Sequence, residues 1–137
     1  MSLVLDSSAA LGWIYPDEDT EVATTIFRLV VASGAWVPAL WRIEVANSLQ
    51  VGIRRGRIDR TFRDAALADL ARLDIRADPE TSNVAWSGTV QLADHFGLTV
   101  YDAAYLELAQ RRSLPLASLD DALCAAARTA GMAVIGD

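Results

Sequence analysis

The chain has 137 residues, 53% of them hydrophobic, with a mean hydropathy of +0.24 and a formal net charge of −6. That is enough apolar material for one buried core and too much for disorder, and no apolar run approaches the roughly 18 residues of a membrane span. The acidic balance excludes nucleic-acid binding by bulk charge alone, and a single cysteine, Cys124, excludes an internal disulfide.

Residues 2–6 read as a short buried strand that delivers an acid, Asp6, and 7–14 as a short helix. Helical spacing then recurs at Val22, Ile26, Leu29 and Val30 and stops at Gly34. A second strand, AWVP, ends at Pro38; residues 40–54 form a helix broken by Gly56. Asp59 caps the next helix, which runs to about residue 73 with Phe62, Ala66 and Leu70 on one face. LDIRA is a third strand. Pro79 opens a helix that extends to about His95, with Gly97 as its C-cap. LTV reads as a strand, DAAYLELAQRR as a helix, PLAS as a strand, DALCAAARTAG as a helix and MAVIG as a last strand. Alternating strands and helices, without a linker or repeat, predict a single domain over 1–137. Its fold class is α/β, a three-layer α/β/α sandwich around a mostly parallel sheet of about five strands.

All twelve basic residues are arginine. Without lysine there is no GxxxxGK[ST] phosphate loop, no Schiff base and no lysine nucleophile. HExxH, paired cysteines, GxSxG and GxGxxG are absent too, and one histidine, His95, has no second to share acid–base work. His95 sits beside a helix end, where it suits capping. What remains in quantity is carboxylate.

Sites on a parallel sheet form outside the carboxyl ends of its strands. Asp6, Asp102 and Asp120 each follow a predicted strand, so all three fall on one edge, each at a helix start. Singly, each is explained as an N-cap favoured by the helix dipole. Glu44 is not, because it lies inside the WRIEVANSL helix, flanked by Trp41, Ile43, Val45 and Ala46; Asn47 and Ser48 share its face. An acid in so apolar a setting requires a partner, and four carboxylates in one small volume call for a hard divalent cation, Mg²⁺ or Mn²⁺. Asp6 is therefore read as a metal ligand. Arg54, Arg55, Arg57, Arg60 and Arg63, in GIRRGRIDRTFRD, are the candidate phosphate contacts, with Arg111 and Arg112 as a second basic group. Trp13, Trp36, Trp41 and Trp86 read as core or dimer-interface aromatics.

With VLDSSAALGW, PALWRIEVANSL, TVYDAAYLELA and PLASLDDAL in this order over essentially the whole chain, the sequence resembles the PIN-domain nucleases, and within them the VapC-type toxins of toxin–antitoxin modules. The resemblance implies Mg²⁺- or Mn²⁺-dependent RNA cleavage, a homodimer and a cognate antitoxin that blocks the site; the lone cysteine and the lack of a long apolar run give the expectation of a cytoplasmic protein with no membrane partner. It makes Asp6, Glu44, Asp102 and Asp120 the catalytic and metal-binding quartet. Ser8 matches a hydroxyl that orients a ligand carboxylate and Asn47 a polar neighbour of Glu44; Ser118 stands where threonine is common. Asp120 is preferred to Asp121 because it lies two residues past Ser118. Two other readings remain open at this point: a Mg²⁺-dependent phosphoryl-transfer or receiver-like domain, and a non-catalytic interaction module. The first fits poorly, since DSS replaces the DxD of a haloacid-type phosphatase and a receiver would need a lysine.

Overall fold

Five short strands form the centre of a computed structural model that describes residues 2–136. They are β1 (Val4–Leu5), β2 (Ala35–Val37), β3 (Ile75–Ala77), β4 (Leu116–Ala117) and β5 (Val134–Ile135). All pair in parallel, in the order β3-β2-β1-β4-β5, with Val4 level with both Trp36 and Leu116. Parallel strands need a covered crossover between them, and helices supply it. α1 (Ser7–Ile14), α2 (Glu21–Ser33), α3 (Trp41–Arg54) and α4 (Arg60–Ala71) pack among themselves. A second group comprises α5 (Thr81–Val84), α6 (Val90–Phe96), α7 (Val100–Arg112) and α8 (Asp121–Thr129), in which α7 touches both α6 and α8. This is the predicted α/β sandwich. Among the described residues no helix is long and apolar enough to cross a membrane.

The core follows from the apolar periodicity. Leu3, Val4 and Leu5 of the central strand are closed off from solvent, packed with Ile26 and Val30 of α2, Leu49 of α3 and Tyr105, Leu106 and Leu108 of α7. Each fully buried side chain of this size contributes roughly 1.5–3 kcal/mol of transfer free energy. Local chemistry marks the helix ends. Thr20 accepts from the Ala23 N–H at 3.1 Å and Asp59 from the Phe62 N–H at 2.8 Å, each cap worth about 1 kcal/mol. Gly34 and Gly97 stop α2 and α6 at φ 72° and 66°, which side chains avoid.

Four expectations change. LTV is not a strand: Thr99 is the N-cap of α7, its hydroxyl accepting from the Asp102 N–H at 3.1 Å. The T-x-x-D spacing is a capping pattern, and it outweighs the β-propensity of three residues. The helix from Pro79 to His95 is interrupted by a π-helical turn, Ala85–Thr89. Trp86, on that turn, is 96% exposed, which removes the core half of its core-or-interface reading. Leu29 also points out of the core, whose α2 stripe is Ala23, Ile26 and Val30.

Candidate active site

The strand order reverses at β1: the chain steps to one side for β2 and β3, then crosses over to β4 on the other. A cleft opens at the carboxyl end of such a strand. Asp6 stands there, only 4% exposed. It occupies the N-cap position of α1 but makes no capping bond. Instead its Oδ2 accepts the hydroxyls of Ser8 at 2.6 Å and Ser118 at 2.8 Å. Each serine also accepts a backbone N–H, Ser8 from Leu119 and Ser118 from Asp120, both at 3.0 Å. The two hydroxyls thus tie the start of α1 to the loop after β4 and fix the carboxylate between them.

The other three acids face the same place. Asp120 caps α8, its Oδ1 accepting from the Leu123 N–H at 3.0 Å. Asp102 lies in the first turn of α7; a crossover helix runs against the strands, so its start returns to their carboxyl edge. Glu44 lies in the first turn of α3, and its Oε1 accepts the Tyr105 hydroxyl. Its helix is less buried than its flanks suggest: Arg42 is exposed and Ile43 is 74% exposed, so only one side of α3 meets the core. Asp121 is exposed, whereas Asp120 acts electrostatically on both Asp6 and Asp102.

The electrostatics show a cluster under tension. Burial pushes the Asp6 carboxyl above its usual 3.8, and the charge of Asp120 adds to the rise while the serine hydroxyls oppose it. Burial likewise raises Glu44; the Tyr105 phenol opposes that, and Asp6 and Asp102 reinforce it. Asp102 is raised by burial and then by Asp120 and Asp6. None of the four acids has an ion pair among the described residues.

Beside Ser8 a groove of 580 Å³ runs between α1 and α3, lined in part by Asn47, Ser48, Arg55 and Arg57. Asn47 is exposed on the groove wall. Gly12 and Gly52 keep the groove floor tight, since a Cβ at either would collide with Leu119 or with the Tyr15 hydroxyl. The candidate arginines divide. Arg57 pairs with Asp17 at 2.8 Å and lies 3.9 Å above the Tyr15 ring; Arg63 bonds Asp64 and Gln50. Arg54, Arg55 and Arg60 are exposed and without an ion pair among the described residues, and Arg55 alone of these lines the groove. Arg111 and Arg112 are not free for phosphate: both hold the buried Asp78. Tyr105 escaped the sequence reading, although it lies one helical turn after Asp102, the spacing that puts two side chains on one face.

Among the described residues no three His, Cys, Asp or Glu side chains close into a group that could hold a metal in the arrangement seen. The donor chemistry nevertheless fits a hard cation. The four acids offer oxygen alone, neighbouring acids add to the rise of Asp6, Glu44 and Asp102, and among the described residues no arginine pairs with them.

A model of the PIN domain family matches residues 3–129. The crystal structure of PAE2754 from Pyrobaculum aerophilum superposes with a TM-score of 0.71 at 22% identity, covering 98% of this chain and 90% of that one. At that identity the likeness speaks for the fold. No curated protein matches the chain.

Proposed function

The chain belongs to the PIN domain family, and we propose that it is a divalent-metal-dependent endoribonuclease of the VapC toxin kind, using Mg²⁺ or Mn²⁺. PIN domains are generally nucleases and usually employ divalent ions. The observation that carries the finer reading is the cluster of Asp6, Glu44, Asp102 and Asp120, buried or half-buried at the strand-order reversal and, among the described residues, without an ion pair.

Asp6, Glu44 and Asp102 would hold the cation, and Asp120 would orient water or serve a second ion. When bound, the ion supplies Lewis-acid polarisation of a phosphoryl oxygen and a water acidic enough to be a nucleophile at neutral pH. The protein's own contribution is placement. Ser8 and Ser118 hold Asp6 in one rotamer, and a carboxylate already fixed by hydroxyls loses little entropy on binding. Arg55 reaches the groove beside Ser8 as the candidate phosphate contact, with Arg54 and Arg60 further along the surface. Bulk charge of −6 repels RNA, so affinity must come from these few arginines together with the ion. A homodimer and a cognate antitoxin complete the proposal; the exposed Trp86 is the aromatic best placed to be covered by another chain.

The test is cleavage of total RNA by the purified protein with Mg²⁺, Mn²⁺ or EDTA, beside Asp6→Asn. Metal-dependent cutting that falls to background in the variant is the expected result. An Asp6→Asn protein that cuts at the wild-type rate would remove Asp6 from the site.

A further inference from the structure

Tyr105 is fully buried, the largest side chain in the core to be so, and its ring leaves the hydroxyl little freedom to choose a partner. Buried phenols need a hydrogen-bond acceptor, most simply a backbone carbonyl. This one crosses from α7 to α3 and donates to Glu44 Oε1, sixty-one residues away. Glu44 Oε2 has no hydrogen bond to the protein among the described residues.

We infer that Tyr105 is a positioning residue for the cation, its phenol holding Glu44 by Oε1 and so presenting Oε2 as the ligand oxygen. This rests on the metal-dependent reading above. The chemistry of the donor is the reason. A carboxylate meant to bind a cation must be held still without being neutralised, and an arginine would do both. A neutral hydroxyl orients the group and leaves its charge intact. Asp6 is treated the same way, by Ser8 and Ser118 on Oδ2. Packing alone does not call for the hydroxyl, because phenylalanine fills the same volume.

The decisive measurement is Mn²⁺ affinity, by titration followed in electron paramagnetic resonance, for wild type, Tyr105→Phe and Leu108→Val. Leu108 is buried one turn further along α7, and its variant reports what a loosened core does by itself. Thermal melts establish that both variants fold. Tyr105→Phe should bind Mn²⁺ about tenfold more weakly, the lower end for losing a partner of a metal ligand, while Leu108→Val binds as wild type. Equal affinity in Tyr105→Phe and wild type overturns the inference and leaves the metal reading standing. An equal loss in both variants overturns it as well, since the effect would then be one of packing. A wild type that binds no Mn²⁺ removes the metal reading, and the role of Tyr105 with it.

Discussion

Two buried aspartates, Asp6 and Asp78, each follow a strand of the same sheet and are treated in opposite ways. Asp78 is 1% exposed and receives Arg111 at 2.6 and 3.1 Å, with Arg112 at 3.1 Å. The Arg112 guanidinium lies over the Trp36 ring, 3.5 Å from its centre. Burial would raise the Asp78 carboxyl, but hydrogen bonds and charge from the two arginines outweigh it and hold the group below its usual 3.8. Asp6, almost as buried, is bonded by two hydroxyls and has no ion pair among the described residues; burial and the charge of Asp120 hold it above 3.8. The charge that serves the fold is paired; the charge proposed to take a cation is oriented by hydroxyls and, among the described residues, has no ion pair.

Removing each charge should therefore move stability in opposite directions. Asp78→Asn leaves two guanidinium groups without their carboxylate, and breaking a buried pair of this kind costs about 3 kcal/mol, read from urea unfolding at pH 7. A change below about 0.5 kcal/mol would mean that the network is solvated and structurally idle. Asp6→Asn should do the reverse in metal-free protein, stabilising it at pH 7 by about 1 kcal/mol.

The pH dependence follows the same signs. Asp6 keeps its proton longer when folded, so the stability it contributes is greatest below pH 3.8 and is lost as pH rises through its folded value. The advantage of Asp6→Asn should accordingly shrink on acidification towards pH 4. Asp78 titrates the other way: its contribution is complete above 3.8 and disappears as pH falls through its lowered value. Urea midpoints of wild type and both variants at pH 4 and pH 7 separate the two cases, and parallel pH profiles would show that the contrast is not electrostatic.

The smallest effect sharpens the same contrast among cations. Arg55 has no ion pair among the described residues, whereas Arg57 is bound to Asp17 and Glu18. Arg55→Ala should lower the slope of log affinity against log salt for RNA by about 1, measured with an uncleaved RNA in Ca²⁺. Arg57→Ala should change it less; an equal change would make Arg57 a phosphate contact despite its pairing.

Much of the architecture was legible because its signals are local. The apolar spacing of Ile26 and Val30, the Asp59 cap and the glycines at 34 and 97 each act within a turn or two. Asp6 and Asp120 could be placed on one edge for a related reason, since each directly follows a strand; Asp102 was placed there by a strand that does not form, and Glu44 lies within a helix. What failed was also local, a choice between two signals over the same residues. At Thr99 a hydroxyl that accepts from an N–H three residues on mattered more than β-branching.

The sequence by itself determined which segments are strands or helices, with LTV and the π-helical break at Ala85–Thr89 the exceptions, and which residue types could carry chemistry, because periodicity and capping are properties of neighbouring residues. Tertiary structure alone decided which charges meet. Asp78 lies 33 residues from Arg111, Glu44 61 from Tyr105 and Asp6 112 from Ser118. No periodicity spans such distances. Strand order brings those side chains together, and with strands of two or three residues that order is set by the packing of whole helices against the sheet.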